Sequence, residues 1–253
     1  MTAPGTFRSG TSGFAYADWS PKFYPPGTRP EGRLASYASR LSAVELNNTF
    51  YRRPSPDQLL AWRAQVGPDF RFIVKAQRGA SLRAVRADAS ASVAWVTEGL
   101  DQLGGSLGGV LFRVPAAIPR DDARLRVVLD AWPRSVPLVV ELQDASWHVD
   151  ETFAALRDAG AVLCATDLDG SPAPDLRVTG GFLYLRLRRT SYDPPALEAW
   201  GARLAPFLAA GLDAYAFLRH DDDGASALAA ERLSIVVSDR VQAEQAGRGG
   251  RLR

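Results

Sequence analysis

A chain of 253 residues, 46% hydrophobic and 23% charged, has the material of a globular protein with one large core or two smaller ones. A formal charge of +2 falls short of the basic signature of a dedicated nucleic-acid binder, and two histidines, His148 and His220, exclude any site built on three or more imidazoles. The single cysteine, Cys164, excludes an internal disulfide; no run approaches the roughly 18 uninterrupted apolar residues of a membrane span, and the first residues lack an apolar leader, so a reducing, cytoplasmic setting is expected.

The first apolar segment, F-R-S-G-T at 7–11, predicts a strand, and the loop after it is long and aromatic, with Phe14, Tyr16, Trp19, Phe23 and Tyr24. Leu34, Tyr37, Ala38 and Leu41 recur at helical spacing, and A-V-E-L-N at 43–47 predicts the second strand, in a stretch that reads as extended as far as Tyr51. Ser55-Pro56 with Gln58 forms a capping box for a helix carrying Leu59, Trp62 and Val66, followed by a strand at 70–76. The basic stretch Q-R-G-A-S-L-R-A-V-R after it reads as a solvated loop. Val93, Val96, Leu100 and Leu103 mark a helix before a strand at 109–114, and Asp121-Asp122 opens another with Leu125, Val128, Leu129 and Trp132. Strands at 137–143, 161–167, 182–188 and 214–220 complete the series, with Gly67, Gly104 and Gly160 closing helices. The interval D-G-S-P-A-P-D-L-R-V-T-G between the sixth and seventh strands is too broken for a normal helix, and residues 239–253 read as a flexible tail.

Eight alternating units in about 250 residues predict a single domain over 1–253 with a (β/α)8 TIM-like barrel fold, an open doubly wound sheet being the alternative. The polar residues decide for the barrel. Side chains alternate along a strand, so Val44 and Leu46 share one face while Glu45 and Asn47 share the other. The same parity sets Lys75, Arg113, Glu141 with Gln143, Arg186 with Arg188, and Arg219 opposite apolar neighbours, and Asp167 ends the sixth strand. All lie toward the C-terminal ends of their strands, where barrel enzymes keep their sites, and a buried carboxylate such as Glu45 is costly unless it is paired. The set is richer in cations than anions, which suits a small anionic or polyhydroxylated ligand. Tyr51, Trp147, Tyr192 and His220 flank it, and Trp19 in the first loop offers a ring face; each is a candidate ligand contact, with self-packing of the loop as the structural alternative. No metal and no cofactor are assigned.

The blocks G-T-S-G-F with W-S-P-K-F-Y-P, V-E-L-N-N-T-F-Y, F-R-F-I-V-K-A, V-V-E-L-Q-D-A-S-W and L-Y-L-R-L with Tyr192 resemble the DUF72 (YecE-like) family over about residues 7–238. The resemblance implies a TIM-barrel-like fold and brings no agreed mechanism. This chain departs from the family pattern in four places. Gln143 and Asp144 stand where the family tends to carry Arg-His, the Thr-His pair after the third strand is absent, and Arg113 replaces a usual Gln. After the eighth strand, Leu218-Arg219-His220-Asp221 replaces Phe-Asn-Asn-Asp. Positive charge thus leaves position 143 and arrives at Arg113 and Arg219. The ligand's anionic group is therefore expected to be held from the fourth and eighth strands, with Arg219→Ala weakening binding and Gln143→Arg in that background restoring part of it.

Three functions are consistent with these residues. The leading one is an enzyme on a small anionic or sugar-like substrate, with Glu45 or Glu141 as acid or base, assisted by Lys75, and arginines as charge clamps. A nucleic-acid or phosphodiester binder, using Arg78, Arg83 and Arg86, ranks second, and a non-catalytic ligand-binding protein is the third reading.

Overall fold

The computed structural model describes residues 3–250. In chain order the elements are β1 (Phe7–Thr11), α1 (Arg33–Ala38), β2 (Ala43–Leu46), α2 (Pro56–Arg63), β3 (Arg71–Lys75), α3 (Arg78–Arg86), α4 (Ala89–Thr97), β4 (Leu107–Val114), α5 (Asp122–Ala131) and β5 (Leu138–Leu142). They continue as α6 (Asp150–Ala159), β6 (Val162–Asp167), β7 (Phe182–Leu187), α7 (Pro194–Ala209), β8 (Asp213–Leu218) and α8 (Ala225–Gly250). The eight strands are parallel and follow the order β1-β8-β7-β6-β5-β4-β3-β2, so the fold is of the (β/α)8 TIM-like class. No helix among the described residues is long and apolar enough to cross a membrane.

The chain divides into two compact units, one of Met1–Val44, Thr166–Pro174 and Phe182–Arg253, the other of Glu45–Ala165 and Asp175–Gly181. In the first, β1 pairs with β8 and β8 with β7 in continuous register, Phe7 opposite Ala214 and Phe182 opposite Asp213. Tyr37 ties α1 to the strands: its hydroxyl accepts from the Thr11 amide at 2.8 Å and donates to the Ala43 carbonyl at 3.1 Å. The ring is fully buried, and those bonds satisfy backbone groups that would otherwise be orphaned. Burial also pushes the Tyr37 hydroxyl's ionisation well above the ordinary phenol range.

In the second unit β4 is the central strand, pairing with β3 on one side and with β5 on the other, where Arg113 stands opposite Glu141. Two of its helices start where sequence chemistry places them. Ser55 accepts from the Gln58 amide and Asp121 from the Arg124 amide, each satisfying an otherwise free first-turn donor. Gly160 ends α6 in the left-handed conformation at φ 67°.

Three expectations change. The second strand ends at Leu46, and Asn48–Phe50 form a 3-10 turn. Thr49 Oγ1 fixes that turn, lying 2.7 Å from the Leu46 carbonyl and 2.8 Å from the Lys75 carbonyl. The basic stretch after β3 is helix α3, whose Ala80, Ser81, Ala84 and Val85 are buried and whose N-cap is Gln77, accepting from the Ala80 amide at 2.8 Å. Finally, residues 239–250 continue α8 where a flexible tail is expected, while 251–253 lie outside the described residues. Between β6 and β7 no helix forms, as the broken interval predicts.

Candidate functional site

Within the second unit, the candidate residues of β2 to β5 sit at the strands' C-terminal ends. Glu45 is the third of four residues in β2, Lys75 closes β3, and Arg113 and Glu141 are next to last in β4 and β5. Glu45, Glu141 and Lys75 are 0%, 2% and 7% exposed, far below what carboxylates and ammonium groups tolerate without partners. Lys75 Nζ donates to Asn47 Oδ1 at 3.1 Å and lies 4.2 Å from the Phe50 ring centroid, so the 3-10 turn receives it twice. Arg113 is held from β5: its Nη2 donates to Gln143 Oε1 at 2.7 Å and its Nε lies 3.5 Å from Glu141 Oε2.

These contacts fix one wall of a cavity of about 460 Å³ lined by Phe50, Arg78, Ser81, Leu82, Arg86, Arg113, Pro115 and Ala117. Every charged residue on it is an arginine. Arg78, Leu82 and Arg86 come from one face of α3, at i, i+4 and i+8. Among the described residues neither Arg78 nor Arg86 makes a side-chain hydrogen bond or ion pair. Gln143 spends its carbonyl on Arg113, so Gln143→Arg would remove an acceptor and oppose two guanidinium groups. The restoration of binding expected from sequence is therefore withdrawn.

In the first unit Asp167 is fully buried and saturated. It accepts from Arg189 Nε at 3.0 Å, Tyr192 Oη at 2.9 Å and Trp200 Nε1 at 3.3 Å, and Arg189 Nη2 lies 2.8 Å away. Tyr192 is thereby committed to Asp167, and burial raises its phenol ionisation. Arg188 Nη1 donates to Ser12 Oγ at 2.9 Å, and Arg186 is buried in β7. Arg219 is half-buried beyond the end of β8. Neither nearby carboxylate turns it away: Asp221 caps the Gly224 amide and Asp223 pairs with Lys22.

His220 stacks on Tyr16, ring centroids 5.0 Å apart and 8° from parallel, and its Nδ1 is enclosed with no hydrogen-bond partner among the described residues. Burial, then the Arg188 and Arg219 guanidinium groups, lower its pKa below the ordinary imidazole value. The unfolded chain therefore binds this proton more readily than the folded one, so stability falls as pH drops below about 6.5 and levels off once the folded imidazole is also protonated. Unfolding titrations of the parent and His220→Asn across that range should show the slope in the parent and a smaller slope in the variant.

The aromatic candidates divide. Trp19 is fully enclosed, ringed by Tyr16, Phe23 and Tyr24, with its indole N–H donating to the Asp221 carbonyl at 2.9 Å; it has no face to offer a ligand. Trp147 is likewise buried and spends its N–H on the Ile118 carbonyl at 2.9 Å. Tyr51 is 77% exposed and meets Phe50 edge-on, and the cavity is lined by Phe50 instead. Among the described residues no group of three or more His, Cys, Asp or Glu is placed to hold a metal.

The family model described as "Protein of unknown function DUF72" matches residues 8–248. The chain belongs to the DUF72 family. It is 31% identical over 111 residues to the UPF0759 protein YecE of Escherichia coli K12, a match spanning 44% of this chain and 41% of YecE. Its fold is similar to that of a DUF72 family protein from Thermotoga maritima, with TM-score 0.81 and 22% identity over 92% of this chain and 99% of that one. A DUF72 family protein from Enterococcus faecalis V583 follows at TM-score 0.76 and 16% identity, over 92% and 96%. For this DUF72 chain, strand parity groups Glu45 with Asn47 and Glu141 with Gln143 and sets Lys75 and Arg113 among the polar strand ends, while the individual contacts among them emerge only from the structure. Arg78 and Arg86 enter the sequence reading only as candidate nucleic-acid contacts; Leu82 and the helix face the three share are missed because α3 reads as a loop, and Phe50 because its 3-10 turn reads as strand. The signal that could have found the helix is the Gln77 cap followed by Ala80, Ala84 and Val85 at helical spacing.

Proposed function

We propose that this DUF72 protein binds a small anionic ligand in the arginine-lined cavity of its second unit. The observation that carries this reading is the wall itself: three guanidinium groups, no carboxylate, and one of the three, Arg113, oriented by Gln143 and Glu141. A guanidinium held in place loses little freedom on binding and presents charge-assisted donors to phosphate or carboxylate. Ser81 is not a free donor, since its hydroxyl reaches the Gln77 carbonyl at 3.2 Å. Glu141 acts in this reading as a positioning group, because its carboxylate lies against Arg113.

Arg113→Ala is expected to weaken inorganic phosphate or sulfate binding by about 1.5–3 kcal/mol, the worth of a charge-assisted hydrogen bond, with the fold retained. Calorimetric titration measures it, and anion affinity equal to the parent's removes the proposal. The burial of Glu45 and Lys75 at neighbouring strand ends favours a second reading, that the bound anion is also turned over by acid–base catalysis. In that case Glu45→Gln retains anion binding while abolishing turnover of a panel of phosphate and carboxylate esters; unchanged turnover in the variant rejects it.

A further inference from the structure

The wall of the cavity says more about the occupant than its charge. The residues that α3 contributes alternate in kind: Arg78 and Arg86 stand two helical turns apart, about 12 Å along the axis, with half-buried Leu82 between them. The rest of the lining is Phe50, Ser81, Pro115 and Ala117 with Arg113. Half of the lining is thus apolar, and a space of about 460 Å³ exceeds what one inorganic anion fills. A phosphate ion at any one of these arginines would leave Leu82 and Phe50 facing water, and a free sugar would set hydroxyl groups against them without acceptors.

We infer that the occupant is an organic anion with an apolar body, of the aryl or alkyl phosphate or carboxylate class, its charge on the arginines and its hydrocarbon between Leu82 and Phe50. This rests on the anion-binding reading above. The Phe50 ring is well suited to the part: Lys75 Nζ and the edge-on Tyr51 ring both contact it, which limits its movement.

Three probes of related charge test this by calorimetry on the full chain: inorganic phosphate, phenyl phosphate and glucose 1-phosphate. Phenyl phosphate should bind about tenfold more tightly than either of the others, the gain from burying part of one ring. Leu82→Ser should reduce that preference, read as the ratio of phenyl phosphate to inorganic phosphate affinity within the variant, to less than about threefold. Since Leu82 is half-buried in α3, a second variant elsewhere on the lining, Ala117→Trp, guards against misfolding of the first. Position 117 is exposed, and a tryptophan there should exclude phenyl phosphate more than inorganic phosphate. Equal affinity for all three probes, lost together in Arg113→Ala, would overturn the apolar-body inference and leave the anion site standing. Failure of every probe to bind would overturn both.

Discussion

Gly10→Ala is expected to destabilise the protein by about 3–5 kcal/mol, a large share of the stability of a domain this size. A methyl group at position 10 would stand 1.9 Å from the Ala43 carbonyl oxygen, 2.8 Å from its carbon and 3.0 Å from the Tyr37 hydroxyl. The conflict is with backbone, so no rotamer change relieves it. Moving β2 away would pull the Ala43 carbonyl from the Tyr37 hydroxyl, and moving the ring would strip the Thr11 amide of its acceptor. Either way a buried polar group loses its bond, at about 1–3 kcal/mol, in addition to the cost of overpacking. Denaturant unfolding measures the loss. Tyr37→Phe, which removes the hydroxyl without adding volume, should cost only the hydrogen-bond part, and equal stability of the Gly10→Ala variant and the parent would refute the steric account.

Asp167→Ala should cost about 2–4 kcal/mol. The carboxylate is the shared acceptor of Arg189, Tyr192 and Trp200, and its removal leaves the Tyr192 hydroxyl and the Trp200 N–H without it in a buried setting. The Arg189 guanidinium is 32% exposed and recovers some hydration, which keeps the figure below the full cost of an abandoned buried charge. Asp167→Asn keeps the volume and one oxygen acceptor, so it should fall between the parent and Asp167→Ala in thermal unfolding. An Asp167→Ala protein as stable as the parent would show that these three donors find water or other partners.

What the sequence discloses here follows from period and from distance along the chain. All eight strands are legible because short apolar runs bounded by turn residues have few other structural meanings, and alternation gives the strand face on which Glu45, Lys75, Arg113 and Glu141 stand. Helix α3 is not legible in the same way. Its buried face is built from Ala80, Ser81, Ala84 and Val85, small residues whose hydrophobic signal is drowned by three arginines in the same nine positions. The partners of Asp167 are hidden for another reason: Arg189, Tyr192 and Trp200 come from a loop and a helix beyond the next strand, and no local pattern announces a contact 22 to 33 residues away. The enclosure of Trp19 and Trp147 is of this kind too, since each indole N–H reaches a carbonyl far along the chain.

The seating of Trp19 bears on how the protein is made. Its indole reaches across 202 residues to Asp221, the Thr6 amide reaches Asp213, Lys22 pairs with Asp223, and β1 finds its β8 partner only at 213–218. On the ribosome β1 and the aromatic loop therefore emerge about 200 residues ahead of these partners and must wait for them. For most of synthesis an unpaired strand edge and the rings of Trp19, Phe23 and Tyr24 wait in the open, in the company that holdase chaperones are built to keep.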